Sequence, residues 1–245
     1  MRLTRVHVDE PLAVGREIAL PDSAAAHLGR VLRLGVGDAC VLFNGDGHDY
    51  AARIVAMNKR ELRVAIDSME PVTRESPLKL VLLQGVARGE KMDLILQKAT
   101  ELGAHAFHPL WSQRSEVKLD EARAEKRLAH WRSVVSSACE QSGRAFVPEV
   151  AAPVSLAAAL TALPSGGLRL ILDPEGELSF GTLEVDIAQP VHLAIGPEGG
   201  WSDLDRTQLR AAGFRGLRLG PRILRTETAG LAAVAALQAK LGDFA

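Results

Sequence analysis

The chain of 245 residues is 47% apolar and carries 29 Lys and Arg against 30 Asp and Glu, so it can fill a core but has no bulk positive charge for nucleic acid. Two distant cysteines, Cys40 and Cys139, exclude a disulfide framework or a zinc ribbon and point to a reduced, cytosolic (cytoplasmic) setting. The N-terminal arginines have no apolar run behind them, and the most apolar stretch, Leu231 to Leu237, is too short to cross a bilayer, so neither a signal peptide nor a membrane span is expected.

Residues 1–70 read as a small β-rich domain. Turn signals at Asn44-Gly45-Asp46-Gly47 and at Asn58-Lys59 separate runs rich in Val, Ile and Leu, the pattern of hairpin strands. One helical insert, Ser23 to Arg33, opens on Ser23 as its cap and stops at Gly35. Residues 71–77, within the Pro-containing, mixed-charge stretch Glu70 to Lys79, read as a linker. From residue 78 to 245 the pattern becomes strand, helix, strand. LKLVLLQGVA is a strand buried on both faces, and Met92, Ile95, Leu96, Ala99 and Leu102 then recur at helical spacing before a stop at Gly103. AFHPLW, RLILD and VHLAI give further short strands, with helices through Leu128, Trp131, Val135 and Cys139 and from Ala157 to Ala162. Alternation of this kind predicts an α/β domain with a mostly parallel sheet. The last helix, TAGLAAVAALQAKLG, is apolar around most of its circumference and calls for burial on several sides, against a second copy or within one large core.

Two stretches carry chemistry. VHLAI runs into Gly196-Pro197-Glu198-Gly199-Gly200, with a helix start at Ser202-Asp203. A Gly-rich turn between a parallel strand and a helix brings backbone N–H groups to the carboxyl edge of the sheet, where ligands bind in this architecture. It lacks the Lys-Ser/Thr pair of a phosphate loop and the G-x-G-x-x-G spacing, so it suits a flat, neutral or cationic ligand such as an adenine nucleoside. The plainer reading is a tight turn whose glycines supply only positive φ. The second stretch, FRGLRLGPRILRTETAG, clusters Arg215, Arg218, Arg222 and Arg225 with no acid before Glu227. There Thr226 is read as a helix cap, and Glu227 lies at the positive end of the helix dipole.

AIGPEGGWSDLD followed by LRLGPRILRTETAG resembles the signature pair of the SPOUT-class RNA methyltransferases, and within them the RsmE family, the ribosomal small subunit RNA (uracil-N3)-methyltransferases. GDACVLFNGDG, GEKMDLILQKATELG, QRSEV and CEQSGRAFVPEV extend the likeness over nearly the whole chain, and Trp201 departs from a position where the family often has Phe. The resemblance implies a C-terminal trefoil knot, an N-terminal PUA-like β-barrel, a homodimer and S-adenosylmethionine as the cofactor. It puts the cofactor between the loop Gly196, Pro197, Glu198, Gly199, Gly200 and the loop from Leu217 through Leu219, Gly220, Arg222, Ile223 and Leu224 to Thr226, at two neighbouring strand ends. Leu172 and Asp173 form a third edge, with Leu219, Ile223 and Leu224 as apolar walls.

Methyl transfer to uracil N3 needs the donor and acceptor aligned and the N3 proton removed, or the resulting anion stabilised on its carbonyls. Arg225, which cannot lose its charge, is the expected stabiliser, with Glu227 and Glu198 as candidates for the base. Arg30, Arg33, Arg88, Lys91, Arg114 and Arg144 are expected to grip small-subunit ribosomal RNA, and Glu140 and Gln141 to join Arg144 at the target pocket. Each of these cations also reads as ordinary solvated surface charge. His105 and His108 have no Cys or carboxylate to complete a ligand set, so no metal site is expected. Two other readings are a methyltransferase of the same class acting on another RNA, such as transfer RNA, and a non-catalytic RNA-binding protein retaining the fold.

Overall fold

The computed structural model describes residues 3–58, 61–115, 121–183 and 188–244, and these form two compact units. The first takes in residues 1–75 and 136–147, the second 76–135 and 148–245.

In the first unit a five-stranded sheet has the order β1 (Arg5–His7), β3 (Ala39–Phe43), β4 (His48–Met57), β5 (Leu62–Pro71), β2 (Glu17–Ala19). Only β1 and β3 run parallel. The Asn44–Gly47 turn joins β3 to β4 as the sequence predicts, and Asn58 begins the β4–β5 turn, whose Lys59 lies outside the described residues. Alternate residues, among them Leu42, Ile54, Val64 and Ile66, point into one core.

The helical insert differs from its reading. Helix α1 (Asp22–Ala26) starts after Pro21 with no side-chain cap, and the carboxylate of Asp22, not the Ser23 hydroxyl, occupies the position that favours the helix dipole. It continues as a π-helical turn (His27–Val31) and ends before Arg33, whose φ of 57° cannot extend a helix. The stretch 71–77 is bonded through its first half: Val72 N–H donates to Gly47 O at 2.9 Å, Arg74 to Gly143 O at 3.0 Å, and Glu75 accepts from Arg144 at 2.5 Å.

The second unit has an all-parallel sheet in the order β12 (Arg215–Leu217), β10 (Leu168–Leu172), β11 (Val191–Ile195), β6 (Leu80–Gly85), β7 (Ala106–Trp111), β8 (Glu149–Val150), with β9 (Val154–Ser155) also pairing with β7. The four apolar runs predicted as strands become β6, β7, β10 and β11, and β6 and β11 are buried along their whole length, as parallel strands covered on both faces must be. Helices α2 (Glu90–Glu101) and α6 (Thr226–Leu241) pack together on one face, and α4 (Leu156–Ala162) and α5 (Asp203–Ala211) cover the other. Helix α3 (Glu121–Ser142) begins in this unit, and its residues from Ser136 belong to the first. Among the described residues no helix is long and apolar enough to cross a membrane.

Helix α6 is buried along one stripe only, Thr226, Gly230, Ala233, Val234, Leu237 and Gln238. Within this chain it is therefore not covered on several sides: Thr228, Ala232 and Ala239 stay exposed. Gln238, fully buried, joins α6 to the end of α2 by donating to Leu102 O at 3.0 Å and Gly103 O at 3.2 Å while accepting from the Ser76 hydroxyl at 2.6 Å.

On the opposite face β11 carries His192, buried with neither ring nitrogen hydrogen-bonded among the described residues. Burial, with the charges of Arg169 and His108, pulls its pKa down to about 4. The ring is therefore neutral in the folded chain, whereas the unfolded chain takes up a proton below its ordinary 6.5. Stability is full above that value and is expected to fall by up to about 3 kcal/mol as pH drops toward 4. Urea unfolding across that range should show less of this slope in His192→Leu; an unchanged slope would assign it to other groups.

Candidate active site at the carboxyl edge of the parallel sheet

The site is built where β11 stops. Gly196 follows its last residue, and Gly200 N–H closes a turn onto Pro197 O at 2.8 Å, with Gly200 at φ 66°, a conformation that side chains disfavour. Trp201 then enters the core, its indole N–H unpartnered among the described residues, so it packs as the apolar ring that Phe would provide. Ser202 caps α5 as predicted: its hydroxyl accepts from Asp205 N–H at 3.1 Å, and the Asp205 carboxylate accepts from Ser202 N–H at 2.9 Å.

Three elements hold this turn. Arg114, after β7, donates to Gly199 O at 3.1 Å. Glu198 accepts from Arg88 N–H and from Lys91 Nζ, each at 3.1 Å. Burial works to raise the Glu198 pKa, but the N–H groups of Arg88 and of Glu198 itself, with the Lys91 charge, hold it below the ordinary carboxylate value. That environment removes the reason to treat Glu198 as a base. The third hold comes from α6, where the Thr226 hydroxyl donates to Gly196 O at 2.5 Å. Thr226 is therefore not the cap the sequence suggested; Arg225 occupies the N-cap position, with no side-chain cap bond, and Thr226 is the first helical residue. Its short side chain reaches across to the neighbouring strand end instead of back to its own helix.

The second loop leaves β12 at Leu217. Leu178 N–H donates to Gly216 O at 2.8 Å and Arg218 N–H to Leu178 O at 2.9 Å, so the chain after β10 lies alongside β12. From there residues 218–225 pass from β12 to Thr226 at the end of β11. The two glycine-bearing bends are not at adjacent strands, because β10 lies between β11 and β12; the loop is long enough to bridge that gap. Gly220 has φ 95°, Leu219 and Leu224 are half-buried, and Ile223 is 86% exposed. Asp173, just past Leu172, is buried, accepts from Glu175 N–H at 3.1 Å and pairs with Arg206.

Arg225 is exposed beside these bends. Glu227, in the first turn of α6, keeps a buried Oε2 with no hydrogen bond among the described residues, 3.9 Å from Lys91 Nζ. Among the cations expected to meet RNA, Arg30, Arg33, Arg88 and Arg114 are exposed, while Lys91 lies between two carboxylates. Arg144 is the correction. It is 4% exposed and bound to Glu75, so it holds the first unit together and offers no free charge to a phosphate. Glu140 accepts from His7 N–H at 3.0 Å, and Gln141 is exposed.

Residues 74–238 match a family model described as an RNA methyltransferase domain, and residues 20–67 one described as an RNA methyltransferase PUA domain. A ribosomal RNA small subunit methyltransferase E of Buchnera aphidicola (from Schizaphis graminum) is 32% identical over 99% of this chain and 98% of its own. The chain belongs to the ribosomal RNA small subunit methyltransferase E family. The Bacillus subtilis member is 34% identical over 86% of this chain and 85% of its own. Among solved structures, that of the Neisseria gonorrhoeae family member bound to S-adenosylmethionine matches with a TM-score of 0.92 at 39% identity, covering 100% of both chains. A putative methyltransferase from Legionella pneumophila in complex with the same cofactor gives 0.95 at 38%, covering 99% of this chain and 100% of that one.

Sequence reading of this family member missed Gln84 and Gly85. The signal was present, since Gln84 is the one polar side chain in β6, a strand covered on both faces. A Cβ on Gly85 would lie 2.6 Å from Pro197 N, so the glycine turn rests directly on this backbone. Gly85→Ala should therefore push the turn off β6 and cost about 1–3 kcal/mol by overpacking. Urea unfolding measures this, and wild-type stability in that variant would contradict the close contact.

Proposed function

We propose that this chain transfers the methyl group of S-adenosylmethionine to N3 of a uridine in small-subunit (16S-type) ribosomal RNA. The observation that carries the reading is the Thr226–Gly196 hydrogen bond, which draws the loop after β12 onto the glycine turn after β11. The residues there fit the cofactor. Positions Gly200 and Gly220 open onto free space, with nothing within 4 Å of a Cβ, and Ile223, Leu219 and Leu224 leave apolar surface uncovered beside them. Backbone with nothing in front of it reads the edge of an adenine, and the apolar side chains take its face. The cofactor set is Leu172, Asp173, Gly196 to Gly200, Leu217, Leu219, Gly220, Arg222, Ile223, Leu224 and Thr226.

Bound there, the sulfonium supplies a methyl group already activated for transfer. The chain's own residues align and charge the acceptor. Arg225 stabilises the negative charge that spreads over the uracil carbonyls when N3 loses its proton. Glu227 is the less committed of the two carboxylates and the proposed acceptor of that proton, because its Oε2 has no hydrogen bond among the described residues whereas Glu198 holds Lys91 and Arg88. Arg30 and Arg33 on the first unit, with Arg88 and Arg114 on the second, meet phosphates, and Glu140 and Gln141 complete the RNA contacts.

The proposed domains are a PUA-like β-barrel over residues 1–70, a linker over 71–77 and a SPOUT-class methyltransferase domain with a trefoil knot over 78–245, with residues 71–75 and 136–147 packing in the first unit. The close run of Gly176–Leu178 against β12, followed by the return of the next loop to β11, supports the knot. The uncovered Thr228, Ala232 and Ala239 face of α6, flanked by half-buried Leu231 and Ala235, supports a homodimer in which a second copy covers it. The cytoplasm, where buried thiols such as Cys40 and Cys139 stay free, is the proposed location.

Nucleoside mass spectrometry of small-subunit RNA incubated with the chain and donor should reveal 3-methyluridine. Arg225→Ala should lower turnover by about 100-fold or more while changing donor affinity by less than about threefold. No new methyl group on that RNA would sink the proposal, and equal loss of both quantities would make Arg225 a binding residue.

A further inference from the structure

Gln84 is fully buried at the carboxyl end of β6, and both of its amide protons are spent locally. Nε2 donates to Gly85 O at 2.9 Å and to the Thr226 hydroxyl at 3.2 Å. Thr226 has one proton, and it goes to Gly196 O at 2.5 Å. The polarity of the chain is thereby fixed in one direction, from amide to hydroxyl to carbonyl. Reversing the amide would set its oxygen against Gly85 O, and the Thr226 hydroxyl could donate to it only by giving up Gly196 O. Its own Oε1 pays for that orientation: it is buried with no hydrogen bond among the described residues, 3.8 Å from where a Cβ of Gly230 would lie. An unsatisfied buried acceptor is destabilising, and an apolar side chain in β6 would avoid that cost.

We infer that Gln84 is a positioning residue for methyl transfer, orienting the Thr226 hydroxyl so that the Gly196 carbonyl, and with it the glycine turn, is held at a set spacing from the first turn of α6. The inference rests on the reading of these bends as the cofactor site. Gln84 touches neither donor nor acceptor; it acts by keeping Thr226 an acceptor on one side and a donor on the other. Arg225 and Glu227 flank Thr226, so a shift of this joint moves the groups proposed to stabilise the anion and to take the proton.

The test separates positioning from general support of the fold. Gln84→Met and Thr226→Val keep shape and remove the polar chain; Thr226→Ser keeps it. Donor affinity by calorimetry, single-turnover rate at saturation and urea unfolding are measured for each. Gln84→Met, which removes the orphaned oxygen together with the donor to Gly85 O, is expected to bind S-adenosylmethionine about tenfold more weakly and to turn over at least about tenfold more slowly, out of proportion to any change in stability. Thr226→Val should lose affinity and rate similarly, and Thr226→Ser, which restores the hydroxyl, should recover most of that loss. Wild-type affinity and rate in Gln84→Met, or losses that track a fall in stability, would overturn the inference. Gly200→Val separates the two levels. If it leaves donor binding intact, the cofactor-site reading itself fails and the inference with it; if it abolishes binding while Gln84→Met and Thr226→Val behave as wild type, only the role of Gln84 fails.

Discussion

The hydroxyl of Thr226 and the carbonyl of Gly196 meet at 2.5 Å, and the functional half of the molecule is organised around that contact. Gly196 begins the turn that directly follows β11, and Thr226 begins α6, the helix that packs with α2 across one face of the sheet. A bond between them fixes where the loop from β12 must end. Without it, residues 218–225 would have to find their place through an exposed Ile223 and two half-buried leucines, which is little packing to overcome the entropy of ordering eight residues.

The rest of the sheet makes this contact possible. The parallel strands β6 and β11, covered on both faces, carry mostly apolar side chains along their length, His192 within β11 being the exception away from their ends. Buried polar residues in this unit accordingly gather at edges and helix ends, where Gln238 secures the far end of α6, Asp205 caps α5 and Gln84 faces Thr226. Most are satisfied. The unsatisfied oxygens of Gln84 and Glu227 both lie near the start of α6.

Much of this was legible in the residues. Short continuous apolar runs marked β6, β7, β10 and β11, and Ser202-Asp203 marked the start of α5, where Asp205 completes a cap that is local to four residues. What the residues concealed was non-local. Whether a Thr at a helix start caps its own helix or reaches another strand depends on what stands opposite, and Gly196 O is 30 positions away in sequence. Arg144 looked like any basic residue near a helix end until Glu75 was brought beside it. The insertion of β10 between β11 and β12 is a matter of strand order, which hydrophobic pattern does not encode. The wide turn at His27–Val31 likewise carries no compositional mark.

The central claim is that one donor molecule lies against both bends at the carboxyl edge of the second unit. Amide hydrogen exchange, measured with and without S-adenosylmethionine, addresses it directly. The account predicts new protection at residues 196–200 and 218–227 together, with the first unit's strands unchanged. Protection confined to one bend, or appearing only in the first unit, would contradict it.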